Sequence, residues 1–493
     1  MINYPRVQQI GILMLALSAF HCQPQAQSDQ PFNVVFILID DMGWTDTAAF
    51  GSTFYETPYL DQLTQESMRF TSGYAACPVC SPTRASILTG KTPALLKQTD
   101  WIPGRGNRAD QKLLQVEDRD YLDLEELTLA NILNDAGYTT AHIGKWHLGL
   151  GDEYLPQYRG FDINIAGNER GSPPSYYYPY SRKDWRDTTR VFQLTDLLEG
   201  GEEGEYLTDR LAEEAASFIS ENKDTPFFLH FSQYAVHTPL QSRADLEEKY
   251  EARHTPYSDS TDFSYEGKRP VRVEHNHPAY AGMVESMDAS VGRIMRALKE
   301  NNIDDKTIVI FFSDNGGLST SEGWPTANVP LRTGKGWLYE GGIRVPMLIK
   351  WPGVSDQQQS CDIPVSSIDF VPTILDMVGL DGQIPQDVEG VSLVPLLEGS
   401  ETLDRSRLYW HYPHYSNQGG KPGGAVRAGN LKLIENYEDN SLELYDLSAD
   451  IEEKHNLIET MPHIADSLRQ QLNTWRGAVE AQMPQPNPDY SGM

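Results

Sequence analysis

The chain has 493 residues, 39% of them hydrophobic and nine of them Trp, which is ample for a globular enzyme and long enough to predict one large domain with a smaller companion. The 70 Asp and Glu outnumber the 40 Lys and Arg and leave a formal net charge of −30. Long-range repulsion at that charge excludes nucleic acid and an anionic membrane surface as partners, so an anionic substrate must be met by a local positive pocket within an acidic exterior.

Residues 1–27 carry Arg6, an apolar run from Ile10 to Phe20 and then a polar Gln/Pro/Ser stretch, the layout of a secretory signal. The apolar run is too short to span a bilayer. The protein is therefore expected in the periplasm or outside the cell, with membrane attachment only if Cys22, which follows a poor lipobox at Ala19-Phe20-His21, is lipidated. Phe32 to Asp40 is a nearly continuous apolar run closed by Asp40-Asp41-Met42-Gly43, as expected of a central parallel strand with carboxylates at its C-terminal edge. Ligands of open α/β sheets sit at that edge.

The stretch from Cys77 to Lys91 follows. Ser81 suits an N-cap and Pro82 the first helical position, which places Cys80 just ahead of a helix N-terminus, where free amide donors and the dipole favour an anion. Arg84 lies one turn in, and Cys80 has the setting of a nucleophile. Plainer readings are a buried structural Cys, or Cys77 and Cys80 as a redox or zinc half-site; zinc would need a second ligand pair, and Cys22 and Cys361 are isolated.

Leu129, Ile132, Leu133 and Ala136 lie at helical spacing between Thr128 as N-cap and Gly137 as C-cap. A strand and loop from Gly137 to Gly149 then carry Lys145 and His147, and residues 152–205 read as long loops with Arg159, Asn168, Arg170 and Tyr176-Tyr177-Tyr178, whose rings would either stack on sugars or simply pack. A helix from Leu207 to Ile219 leads to the strand Phe227–Phe231 and to His237. After a polar insertion to about His277, Val284, Met287, Val291, Ile294 and Leu298 make a helical core stripe.

A second buried strand, Thr307–Phe312, ends in Ser313-Asp314-Asn315-Gly316-Gly317. Either acidic dipeptide alone reads as readily as a turn or cap. Together the two strand ends offer three carboxylates and an amide oxygen, a hard-oxygen set suited to calcium rather than zinc. The loop Pro330–Pro346 carries Lys335 between Gly334 and Gly336, which would let its backbone approach a ligand. A boundary between Glu398 and Arg407 precedes hairpin-like stretches at Gly424–Arg427, Lys432–Glu435 and Glu443–Asp446, and a last helix with Ile464, Leu468, Leu472 and Trp475 on one face.

Cys80-Ser81-Pro82-Thr83-Arg84 followed by Leu88-Thr89-Gly90 resembles the signature of type I sulfatases, whose Cys is oxidised to formylglycine, and the resemblance runs from about Phe32 to the chain end with its satellite motifs in order. It implies an α/β fold of alkaline phosphatase type: a large mixed, mostly parallel sheet sandwiched by helices, with a smaller C-terminal antiparallel sheet plus helix. The expected division is a signal peptide at 1–27, a catalytic domain at 28–400 and a C-terminal subdomain at 401–493. The resemblance further implies conversion of Cys80 to 3-oxoalanine by a formylglycine-generating maturation enzyme, one Ca2+ held by Asp40, Asp41, Cys80, Asp314 and Asn315, and catalytic roles for Arg84, Lys145, His147, His237 and Lys335. Arg84, Lys145 and Lys335 would neutralise the sulfuryl oxygens, His237 would protonate the leaving oxygen and His147 would regenerate the aldehyde.

A secreted, Tyr-rich chain suits a sulfated oligosaccharide, here expected to be a carrageenan- or agar-type galactan attacked from a chain end. Arg170, His411 and His414 are the candidates for gripping the sugar, the last two from a stretch Trp410–Tyr415 that would reach over the pocket. Rival readings are a sulfatase for ulvan, fucan or glycosaminoglycan, a formylglycine phosphodiesterase or phosphonate hydrolase, and an inactive binder of sulfated glycans.

Overall fold

The computed structural model describes residue 1 and residues 31–184, 189–253, 259–355 and 359–491; the predicted signal segment, Cys22 included, falls outside them apart from Met1. An eight-stranded sheet forms the centre, in the order Gln359–Cys361, Met68–Phe70, Met347–Lys350, Thr307–Ser313, Asn33–Ile39, Phe227–Ser232, Thr139–Gly144, Ile163–Ile165. The last five of these strands pair in parallel, and the Met347–Lys350 strand runs against both of its neighbours. The expected mixed, mostly parallel sheet is thus observed.

Strand periodicity sorts the apolar run at 33–39 between two cores. Val35, Ile37 and Ile39 face the helices Pro58–Gln65, Leu207–Glu221 and Pro278–Glu300, whose buried stripe includes Val284, Met287, Val291, Ile294 and Leu298. Val34, Phe36 and Leu38 face the other way, onto the helices Cys80–Thr89, Leu129–Asp135 and Phe370–Met377. Both faces are covered, which is why the run does not alternate with polar residues.

The last strand of the large sheet ends at Cys361, and a four-stranded antiparallel sheet follows from Leu408–Tyr412 through Gly423–Ala428 and Leu431–Asn436 to Leu442–Asp446. Val426, Leu433 and Leu444 lie under the helix Pro462–Ala478 with Leu468 and Leu472. Trp410, Tyr412, Ala425 and Ile434 take the opposite face and pack on Tyr74, Cys77, Val79 and Leu338, so the small sheet buttresses the segment that leads into Cys80. No helix among the described residues is long and apolar enough to cross a membrane.

Candidate active site

Register decides which strand ends meet. Ile39 lies opposite Ser313, Leu38 opposite Ser232 and Ser232 opposite Gly144, so the residues that follow, Asp40 and Asp41, Asp314 and Asn315, and Lys145, emerge side by side at one sheet edge. The Asp41 amide donates to Asp314 Oδ1 at 3.1 Å, and the Asn315 amide nitrogen donates to Asp41 Oδ1 at 2.8 Å. Asp41 adopts φ 62°, the left-handed turn that brings consecutive carboxylates to bear on one point.

Each buried carboxylate has a cation. Lys145 Nζ donates to both oxygens of Asp40 at 2.8 and 2.7 Å, Lys335 Nζ lies 2.6 Å from Asp41 Oδ1, and Arg84 Nε donates to Asp314 Oδ2 at 2.8 Å. His237 Nε2 lies 3.4 Å from Asp41 Oδ2. Burial pushes the Asp40 carboxyl up to about 6 against the pull of Lys145. The same burial acts on Asp41, but Lys335 and His237 outweigh it and hold that carboxyl below the usual carboxylate range. Burial also raises the Cys80 thiol, with Lys145 and Lys335 opposing.

Cys80 is the first residue of its helix rather than the residue ahead of it. Val79 is the N-cap, and no side chain caps. The Ser81 hydroxyl, expected to cap, is taken by tertiary partners: it accepts from the Ile102 amide at 3.2 Å and lies 3.2 Å from His147 Nδ1. His147 Nδ1 is also 3.4 Å from Cys80 Sγ, while its Nε2 lies 2.7 Å from the Ile102 carbonyl. A carbonyl can only accept, so Nε2 carries the proton and Nδ1 turns its lone pair to position 80. Burial first, then Lys145, keeps the ring neutral.

Cys80, His147, His237 and Lys335 line one cleft of about 730 Å³, and Arg170 lies on its wall. Arg84 stays beneath it, 2% exposed, with Nη1 donating to the Lys145 carbonyl and the Ser232 hydroxyl; it orders the carboxylates instead of facing a substrate. His411 and His414 do not reach the cleft. His411 is buried between the Tyr437 hydroxyl and the Gln482 carbonyl, and His414 is buried against Thr99 Oγ1, because the Trp410–Tyr415 stretch is spent on packing. The tyrosines of 176–180 also pack: Tyr176 and Tyr180 are buried, and the Tyr176 hydroxyl donates to the carbonyls of Tyr234 and His237. Gly334 and Gly336 admit protein, not ligand, since a Cβ there would meet the Gly317 carbonyl at 2.2 Å and Ser416 Oγ at 1.9 Å. Cys77 Sγ points to the Thr99 carbonyl at 3.7 Å and is no partner for Cys80.

Sequence reasoning missed much of the rim: Trp101, Arg105, Glu169, Arg190, Phe192 and Gln418. They carry no shared motif and come from four separate loops. The donor set at the sheet edge fits a hard cation, since Asn315 Oδ1 is buried without a hydrogen-bond partner beside three carboxylates, and Asp40, Asp41 and His237 can reach one point.

Comparison with known proteins agrees with this geometry. A sulfatase family model matches residues 32–380, and a model of the N-sulphoglucosamine sulphohydrolase C-terminal region matches 333–478. A sulfatase of Formosa agariphila is 29% identical over 96% of this chain and 93% of its own length. The N-acetylgalactosamine-6-sulfatase of Sus scrofa is 32% identical over 77% of this chain and 69% of its own. The solved structure of Ps i-CgsB in complex with k-i-k-neocarrahexaose superimposes with a TM-score of 0.72 at 27% identity, covering 90% of this chain and 93% of that one. With a family model spanning most of the chain and relatives matched over most of their length, the protein belongs to the sulfatase family and is a sulfuric ester hydrolase of alkaline phosphatase-like fold.

Proposed function

We propose that the enzyme, exported to the periplasm or beyond, removes sulfate from a terminal galactose-type unit of a sulfated galactan, using Cys80 after its conversion to formylglycine. The observation that carries this reading is the convergence of Cys80, His147, His237 and Lys335 on a single cleft whose rim is polar and aromatic. A relative acting on N-acetylgalactosamine 6-sulfate and a structural neighbour holding a carrageenan oligosaccharide support the sugar class.

The hydrated aldehyde supplies a geminal hydroxyl nucleophile; Asp40, Asp41, Asp314 and Asn315 would hold a calcium ion, which would supply Lewis acidity at that hydroxyl. Lys335, which lines the cleft, offsets charge on the sulfuryl oxygens, while Lys145, buried and held on both oxygens of Asp40, acts through that carboxylate. Arg84 fixes Asp314 and, through the Lys145 carbonyl, the start of the loop that bears His147. His237 Nδ1 lies 2.9 Å from the Thr238 carbonyl and donates to it, so the proton given to the departing oxygen is a second one, carried on Nε2, which faces Asp41 Oδ2 at 3.4 Å. His147 Nδ1, unprotonated and aimed at position 80, accepts the proton of the second hydroxyl as sulfate leaves.

The test is sulfate release from defined galactan oligosaccharides by the matured protein and by Cys80→Ala, with phosphate esters alongside. Matured protein should release sulfate from terminal residues, and Cys80→Ala should release none. Turnover by Cys80→Ala would refute the nucleophile, faster phosphate ester cleavage would refute sulfate specificity, and random mid-chain desulfation would refute action at the chain end.

A further inference from the structure

We infer that the cleft contains a second anion subsite, formed by Arg170 and Arg190 across the ring of Phe192, which selects saccharides bearing another sulfate or a carboxylate close to the ester that is cut. This inference rests on the carbohydrate reading above and adds to it the charge of the substrate. The Arg170 guanidinium carbon stands 3.4 Å from the Phe192 ring centroid and that of Arg190 stands 5.0 Å from it, and all three residues line the cleft. Stacking on an aromatic face fixes a guanidinium in direction while leaving its N–H fork free for a planar or tetrahedral anion.

Among the described residues neither Arg170 nor Arg190 forms an ion pair, nor does Arg105 on the same rim, in a chain with 70 acidic residues. The cations deeper in the site are already matched by Asp40, Asp41 and Asp314. Arg170 is partly buried, which disfavours its charge; Glu169 opposes that effect, and Arg190 and Arg182 add smaller repulsions. Glu322, the other acid of the rim, is engaged by the Gln418 amide at 2.6 Å. Like charges gathered on one ring in a molecule of net charge −30 are relieved when an anion sits between them.

Placement gives the reach. The Asn168 carbonyl accepts from the His147 amide at 3.1 Å, and a Cβ on Gly171 would stand 2.6 Å from His147 Cε1, so the backbone on both sides of Arg170 is clamped to the reaction centre. Arg190 arrives from the hairpin of Ser181–Lys183 and Val191–Gln193. Both arginines line the same cleft as Cys80, so the anion they would take belongs on the same sugar as the ester or on its neighbour.

The subsite is tested by calorimetric binding to Cys80→Ala, which separates recognition from turnover. The ligands are a monosulfated galactose-type disaccharide, its disulfated counterpart, and a monosulfated disaccharide containing a uronic acid. One or two charge-assisted hydrogen bonds predict about tenfold tighter binding for a ligand with the second anion. Arg170→Gln and Arg190→Gln, each made in that background, should cut the preference below about threefold, and the two dianionic ligands show whether sulfate or carboxylate is preferred. Equal affinity for all three ligands, or a preference unchanged in both variants, would overturn the subsite. Sulfate release by the matured wild type is scored separately: its absence on every ligand refutes the proposed function, while the binding preference still decides the subsite.

Discussion

His147 is held in one orientation by contacts on both sides of its ring. Its ring is buried and neutral, and the Ile102 carbonyl on Nε2 leaves the lone pair on Nδ1 facing Cys80 Sγ and the Ser81 hydroxyl. Gly171 presses on the other side of the ring, where a methyl group would lie 2.6 Å from Cε1 and 2.9 Å from Nε2. Gly171→Ala must therefore displace the imidazole or its own loop. Overpacking costs about 1–3 kcal/mol, whereas misplacing a proton acceptor by about 1 Å costs on the order of 100-fold in rate. Steady-state kinetics and thermal melts on this variant should show kcat falling far more than stability; a proportionate loss of both would mean that the ring is not held by that contact.

The elements are joined by buried polar ties at the places where the small sheet meets the large one. Lys432, on the Leu431–Asn436 strand and fully buried, donates to Glu340 Oε1 and Glu453 Oε1, each at 2.9 Å, and Glu340 follows Lys335 by five residues. Lys432→Met leaves two buried carboxylates without the cation between them, so a loss of about 3–5 kcal/mol is expected in denaturant unfolding. A second tie joins Asp100 Oδ1 to the Tyr412 hydroxyl at 3.0 Å, beside Asp118 and His414. Burial pushes the Asp100 carboxyl up to about 7 from its ordinary 3.8, so between those values the folded protein keeps a proton that the unfolded chain has lost. Stability from this group is complete at low pH and disappears as pH rises through the folded value. Asp100→Asn should accordingly flatten the fall in melting temperature between about pH 5 and pH 8; an unchanged profile would place the titration elsewhere.

At the scale of the whole molecule, the strand-end site joins residues 270 positions apart, Asp41 and Asp314 being linked by a hydrogen bond across 273 positions. A cation bound there only in the folded state stabilises every element that meets at that sheet edge. At calcium concentrations about 100 times its dissociation constant the gain is about 2.7 kcal/mol, so chelation should lower the melting temperature and calcium should restore it. Zinc, which prefers nitrogen and sulfur donors, should not. A melting temperature indifferent to chelation would argue against a resident cation. The net charge of −30 adds long-range attraction for that ion and leaves the arginine-lined wall as an exception to an acidic surface.

The sequence by itself determined the central strands and the residues at their ends, because a run buried on both faces must be continuously apolar and the carboxylates that stop it stand where such sheets hold ligands. It also determined the core of the long Pro278–Glu300 helix from the stripe Val284–Leu298, and three of the four strands of the small sheet, Leu408–Tyr412 being the one it did not show. Side-chain direction was left to the tertiary structure. Arg84 turns under the cleft to Asp314, Ser81 leaves its cap for His147 and Ile102, and His411 and His414 vanish into the junction of the two sheets, since each finds a better partner far away in the chain than the local pattern offers. The rim was likewise decided only by folding: Arg105, Arg190, Phe192 and Gln418 obey no shared period, and loops become neighbours through the packing of the elements they connect.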